Sequence, residues 1–490
     1  MRPIKYIAVL VTAGMLFTSC KKDYLDINTD PNNPTQAAVN LVLPTAQGYA
    51  AYIMGSPFQI VGGFWAQYWT QGPTGNQYNN YDQYTITSAN FDRQWRDMYA
   101  GSLNDLRYVV EEGTKTGQDN YVAAAKILQA YLFQVMTDLH GDIPFSEALS
   151  AGTGNITPKF DSQQDVYDGL IVLIDEGLAL LDEGSGSHPG TDDLFYGGNM
   201  AQWRKFANTL KLKIYLRQAY VRPAVAEAGI KALYTANAEF LGNDDEAAVQ
   251  FTTTQFNENP LFAHFTSLGE QNVLASKTGL DYMLNHDDPR VDALYRPATA
   301  APNTGNQVGI KQGEGRTLTG NLSDGMYSKP GTDIAGEAAP VIFMSAAESM
   351  FLQAEAVARG WGTGNAQTLY NSAILSSFQR WGFSTADYNA YAAQADIVFP
   401  AAGTVEQKIK SIITQKWVSL AGSENVEAWT EWRRTGYPDI FTISVTSNIG
   451  NKFPARLLYP DSEVTSNPNT PSQKAVTDKV WWDVNTTGQN

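Results

Sequence analysis

Four histidines, one cysteine and fifty carboxylates bound the chemistry open to this 490-residue chain. The histidines are His140, His188, His264 and His286, and they are too scattered to form the spaced ligand set of a catalytic zinc. "DLHGD" (138–142) and "HDD" (286–288) set single histidines beside carboxylates, which suggests a metal only superficially. Gly141 and Pro144 instead make the first read as a helix end followed by a turn. "DINTDPNNP" arranges Asp26, Asn28 and Asp30 like the opening of a calcium loop. That reading fails, because Pro31 stands where the loop needs glycine and Ala37 where it needs a bidentate acid. Nucleophile elbows, P-loops, HExxH and CxxC pairs do not occur in the sequence. Some carboxylate pair must fall at glycosidase spacing, yet no motif selects one. The sequence therefore predicts no catalytic residue, metal or cofactor.

Contact chemistry is better represented. "FWAQYWTQGPTGNQYNNYDQY" (64–84) holds seven aromatics, seven Asn or Gln and one charge, Asp82. Flat rings suit the apolar faces of sugars, and amides match sugar hydroxyls or peptide groups. Phe64, Trp65, Tyr68 and Trp69 lie at helical spacing, and Phe64 to Tyr68 reads as core. Gly72 to Tyr84, rich in turn residues, reads as an exposed contact surface. Trp69, Asn76, Tyr78, Asn79 and Tyr81 are the predicted ligand contacts. The competing expectation is that these rings are also core.

The lone cysteine has a different chemistry. Arg2 and Lys5 precede an 11-residue, mostly apolar stretch from Ile7 to Phe17, and Thr18-Ser19 are small. This is the layout of a secretory signal peptide over residues 1–19 and is too short to span a bilayer. Cys20 then occupies the position at which a lipoprotein precursor is cut and acylated. Each buried CH₂ contributes about 0.8 kcal/mol, so two or more chains anchor stably. With Cys20 lipidated no thiol is left for a disulfide, and packing must stabilise the chain. The formal net charge is −16, without a basic cluster, which argues against nucleic acid and anionic lipid surfaces.

Several elements must position these residues. Asn90 reads as the cap of a helix over Phe91–Glu112 stopped by Gly113, and a second helix runs from Gln118 to about Leu139. Ser162 caps a helix over Gln163–Asp182. In "MAQWRKFANTLKLKIYLRQAY", Trp203, Phe206, Ala207, Leu210 and Ile214 keep the spacing of a buried stripe. Ser345 with Glu348 and Thr404 with Gln407 form capping boxes. The second opens a helix with Ile409, Ile412, Ile413, Trp417 and Leu420 on one face, ended by Gly422. Glu424 to Arg434 reads as a further short helix. Pairs of helices joined by short glycine turns predict a mostly α fold of tetratricopeptide-like hairpins. The excursion Pro297–Pro340, with eight glycines, predicts a functional or mobile loop. Residues 20–490 read as a single domain.

Seven stretches in series carry a family resemblance. They are "LDINTDPNNPT" (25–35), "DLHGDIPFSEAL" (138–149), "QWRKFANTLKLKIYLR" (202–217), "DPRVDALY" (288–295), "FLQAEAVARGW" (351–361), "QKWVSLAGSENVEAWTEWRRTGYP" (415–438) and "FPARLLYPDSEVTSN" (453–467). Together they resemble the SusD/RagB family of Bacteroidetes outer-membrane nutrient-binding lipoproteins, with His140 where that family often has Tyr. The resemblance implies helical hairpins with an irregular ligand-binding half, and structural roles for Arg433, Arg434, Arg456, Tyr459 and Glu463. It implies a SusC-like TonB-dependent outer-membrane porin as partner, over which the lipoprotein sits as a lid. Lys21-Lys22-Asp23 resembles a tag for export to the cell surface. The leading expectation is a non-catalytic lipoprotein that binds glycan oligomers and delivers them to its porin. The alternatives are a peptide-binding lipoprotein of the same family, as the RagB branch implies, and a secreted helical glycoside hydrolase.

Overall fold

Helical hairpins stack around one long helix that is buried on nearly every side. The computed structural model describes residues 37–184, 187–243 and 245–485, so Cys20, the charged tag and the segment containing Asp26 lie outside the described residues. The first element, α1 (Val39–Ile53), begins beside Tyr108, whose hydroxyl donates to Ala37 O at 2.8 Å. A π-helical turn, Met54–Phe58, leads into α2 (Gln59–Trp65). A second π-helical stretch, Asp97–Leu103, leads into α3 (Asn104–Thr116), and α4 (Asp119–His140) follows. Every residue of α4 from Asn120 to His140 except Lys126 is buried. A mostly apolar helix buried on nearly all sides belongs at the centre of a large core.

The helix expected over Phe91–Glu112 is placed differently. Thr87, not Asn90, is the cap, with Asn90 completing its capping box. The chain then runs through Gly113 to Thr116 and stops at Gly117, at φ 69°. The reason is packing. A Cβ on Gly113 would lie 2.8 Å from Val122 Cγ2, so this glycine allows α3 to approach α4. Gly117 supplies the left-handed conformation that ends the helix.

Beyond α4 come α5 (Gln163–Leu180), α6 (Met200–Arg217) and α7 (Pro223–Thr235). Ser162 caps α5 by accepting from Asp165 N, and α5 stops two residues before the expected Asp182. The predicted stripe of α6 is fully buried. After the irregular middle, which includes α8 (Lys277–Asn285), the hairpins resume with α9 (Ala346–Ala358) and α10 (Ala366–Arg380). The last pair is α11 (Val405–Leu420) and α12 (Asn425–Thr435). The Thr404–Gln407 box forms completely, whereas Ser345 caps α9 while Glu348 turns its carboxylate inward. Sheet is confined to three antiparallel pairs among the described residues. These are β1 (Trp69–Thr70) with β3 (Leu274–Ala275), β2 (Ala247–Val249) with β6 (Val341–Met344), and β4 (Tyr295–Arg296) with β5 (Lys329–Pro330).

A buried ion cluster joins the two sets of hairpins. Lys213 Nζ on α6 lies 3.3 Å from Glu348 on α9 and 3.1 Å from Glu427 on α12. Arg217 reaches Glu427 at 2.7 Å and also pairs with Glu431. Lys416 on α11 lies 3.2 Å from Glu348 and 3.3 Å from Glu431. Arg434 pairs with Glu355 and Glu431 at 2.6 and 2.7 Å. Burial opposes each charge, but the surrounding cations hold Glu431 well below the usual carboxylate range. Removing one member of such a set would cost about 3–5 kcal/mol, because its partner would stay buried and unpaired.

Candidate functional site

The aromatic and amide-rich stretch 64–84 is the scaffold of the site, and most of it faces inward. α2 ends at Trp65, and Gln67 reverses the chain at φ 58° into β1. Trp69 is buried against Gly63, where a Cβ would lie 2.8 Å from two of its ring carbons. Tyr81 is sandwiched, with its ring 5.4 Å from Tyr78 and 6.1 Å from Phe91 at near-parallel angles. Tyr78 bonds to His264 Nε2 through its hydroxyl, and Phe64 meets both tyrosines edge-on. The exposure expected of Gly72–Tyr84 is therefore corrected: Tyr78, Tyr81 and Tyr84 are buried, because ring–ring packing removes more apolar surface from water than a solvated turn would. Of the predicted contacts, Asn76 is exposed and Asn79 half-buried, with Thr74 and Gln77 exposed beside them. Asn79 Oδ1 is buried with no hydrogen-bond partner among the described residues.

Asp82, the one charge of the stretch, ties it to a distant loop. Its carboxylate accepts from Thr70 Oγ1 at 2.8 Å, Gln71 N at 2.9 Å and Gln312 Nε2 at 2.6 Å. Burial pushes its pKa up to about 7 against the pull of those three donors. Gly313 N donates to Thr70 Oγ1, and Thr74 Oγ1 to Asp324. The two stretches that stood out in the sequence, 72–84 and 297–340, thus pack on one another.

Gln67 and Gln312 carry this scaffold outward to a cleft. Gln67 Nε2 donates to Thr442 O at 2.7 Å, and its Oε1 accepts from Thr278 Oγ1 at 2.8 Å and Thr442 N at 3.1 Å. One amide therefore holds α8 and the strap 440–445 in register. Between them opens a cleft of about 560 Å³, with Thr278, Tyr282 and Asn285 on one wall and Ile440, Ile443 and Val445 on the other. Gln312 and Lys311 close one side, and the Lys277–Asp281 ion pair, 2.6 Å long, also lines it. The half-buried Tyr282 ring lies 4.2 Å from the His286 ring, and its hydroxyl accepts from Gln415 Nε2 at 3.1 Å. One aromatic ring, an apolar wall and neutral donors and acceptors equip the cleft to hold a neutral polar ligand with apolar faces. His286 is already committed to Tyr282 O and Asp396, so no nucleophile–base pair is assembled here.

The other sequence candidates resolve as structure. His140 is buried, and burial with the neighbouring Arg456 lowers its pKa to about 3. It packs edge-on to Trp95 and contacts Leu458 O at 3.0 Å. Among the described residues no group of three His, Cys, Asp or Glu could hold a metal ion. Also among them, no helix is long and apolar enough to cross a membrane. Gln67 and Gln312 lie in stretches that stood out in the sequence, 64–84 and 297–340, whereas Tyr282 and the 440–445 strap had no signal there. Each is an ordinary residue, and only the fold brings them together.

A family profile described as SusD-like, starch-binding and associating with the outer membrane matches residues 31–460. The chain belongs to the SusD-like family. Among solved structures it is similar to a chitin-binding protein at 29% identity, with TM-score 0.78, over 91% of this chain and 100% of the other. A chitin-binding SusD homologue from Flavobacterium johnsoniae is 25% identical over 91% and 99% of the two chains, with TM-score 0.76. A SusD homologue from Bacteroides uniformis matches equally widely at 25% identity and TM-score 0.75. No curated protein matches the sequence.

Proposed function

We propose that the protein is a non-catalytic cell-surface lipoprotein that binds glycan oligomers and delivers them to a TonB-dependent outer-membrane porin. Cys20 carries the lipid that anchors it to the outer membrane, facing the exterior. The observation that carries the ligand reading is the cleft beside Tyr282, held open by Gln67 and Gln312. Two relatives of the same fold are chitin-binding by name, which favours an oligomer of N-acetylhexosamine, whose acetamide would meet the Ile440–Ile443 wall. A second reading places ligand on the rim loop, favoured by the exposed amides of Asn76 and Gln77 beside half-buried Asn79. There Trp69, Tyr78 and Tyr81 act as the support beneath the amides.

Calorimetric titration with chitin hexamer, maltohexaose and a mixed peptide set tests this. The expected result is binding of one glycan class with no chain shortening on long incubation. Tyr282→Ala should weaken binding about tenfold, the loss of one ring stack, with helical content unchanged. Loss of affinity in Asn76→Ala/Asn79→Ala instead would move the site to the rim. Released products would make the protein an enzyme, and binding of peptides alone would overturn the glycan reading.

A further inference from the structure

A second groove lies on α1, built from residues that neither the fold core nor the cleft uses. Tyr49 and Tyr52 sit one turn apart on the outer face of this helix, 43% and 36% exposed. With Thr45, Gly48, Arg93 and Asp97 they line a shallow groove of about 440 Å³. The Tyr49 ring lies flat on Gly101, where a Cβ would stand 3.1–3.3 Å from three of its atoms. Its inner face is therefore seated on backbone while much of the side chain stays open. Arg93 stands over the Tyr52 ring at 5.4 Å and donates through Nε to Asp97 Oδ2 at 3.2 Å. Asp97 and Gly101 both lie in the π-helical stretch 97–103, a distortion that often marks functional positions.

Gly48 is the telling residue. In a helix interior alanine would be favoured over glycine by about 1 kcal/mol, and a Cβ at Gly48 would meet nothing within 4 Å. Packing does not require this glycine. Its bareness keeps the floor of the groove free between Thr45, Tyr49 and Tyr52.

We propose that the groove is a second carbohydrate platform, on which Tyr49 and Tyr52 stack adjacent pyranose rings of a glycan chain. The ligand class rests on the glycan reading above. Donor (Arg93), acceptor (Asp97) and hydroxyl (Thr45) line the same groove, which suits a neutral polyhydroxyl ligand that both gives and takes hydrogen bonds. Two tyrosines and a glycine offer far less area than the roughly 800 Å² a stable protein partner needs on each side. Placement on a regular helix gives the rings the rigidity that such stacking requires.

The test is titration of the full mature protein with chitin hexamer and pull-down on insoluble chitin. The variants are Tyr282→Ala, Gly48→Leu and Tyr49→Ala/Tyr52→Ala. A weaker binding event should survive Tyr282→Ala and should fall about tenfold in either platform variant, with unchanged melting temperature. If the platform variants bind as wild type while Tyr282→Ala loses everything, the platform is wrong and the cleft stands. If they leave glycan binding intact but stop a porin from co-purifying, the face belongs to a protein and the proposal fails. Failure of the wild type to bind any glycan would sink both readings.

Discussion

At the residue scale, the most informative group is Asp82. Its carboxyl titrates near 7 when folded, against 3.8 when free, so the folded state favours the protonated form. That contribution to stability is full below about pH 4 and is lost as pH rises toward 7. His140 runs the opposite way: its folded pKa near 3, against 6.5 when free, removes stability as pH falls from about 6.5. Their windows overlap and their slopes oppose, so wild type alone would not resolve the two groups. The Asp82→Asn variant separates them. Urea unfolding should show the variant gaining on wild type by 1 kcal/mol or more between about pH 4 and pH 8. An equal difference at both pH values would mean that Asp82 does not titrate as its burial demands. Asp82 was visible in the sequence as the one charge among neutral amides. That it serves the scaffold was not, because its three donors come from positions as far apart as 70 and 312.

At the element scale, helix ends were legible where the deciding residue acts locally. Ser162 and Thr404 do in the structure what their types imply. Gly113 misled because its missing side chain serves a contact with another helix, which no local pattern reveals. Gly62 makes the same point more forcefully. A Cβ there would lie 2.5 and 2.6 Å from Asn425 C and Val426 Cα, so α2 meets α12 backbone to backbone. Asn425 Nδ2 locks the crossing by donating to Gln59 O at 3.0 Å. Backbone cannot rotate aside as a side chain can. Gly62→Ala should therefore lower the melting temperature sharply, with a cost of about 1–3 kcal/mol for overpacking, and shift the helix bearing Glu427 and Glu431. Gly48→Ala, where space is open, should be neutral or stabilising. Similar losses in the two variants would contradict this account.

At the scale of the whole molecule, three of the seven stretches that carry the family resemblance hold most of the ion cluster, Glu348 lying outside them. "QWRKFANTLKLKIYLR" holds Lys213 and Arg217, and "FLQAEAVARGW" holds Glu355. "QKWVSLAGSENVEAWTEWRRTGYP" holds Lys416, Glu427, Glu431 and Arg434. Buried charges need specific partners, so they leave a strict pattern in sequence. Of the cleft, assembled from 277–286, 311–312 and 440–445, only 311–312 fell in a flagged stretch, because its rims face water and no core dictates their residue types. The proposed anchor belongs to this scale too. Cys20→Ala should give a folded protein that no longer labels with fatty acid or fractionates with outer membrane, and gentle detergent should recover the native form with a barrel-sized partner. A variant still in the membrane fraction would contradict the lipoprotein reading.

The seat of α1 bounds how far the folded body can stand from Cys20, the proposed lipid site. Ala37 is pinned to Tyr108 at the start of α1, and about 17 peptide steps separate it from Cys20. A trans chain covers at most ~3.6 Å per step, so the separation cannot exceed about 60 Å. A folded body of this size has a radius of gyration of about 22 Å, hence a width near 60 Å. The two lengths are matched. On the proposed lipid anchoring, the folded body could stand no farther from its point of attachment than about its own width.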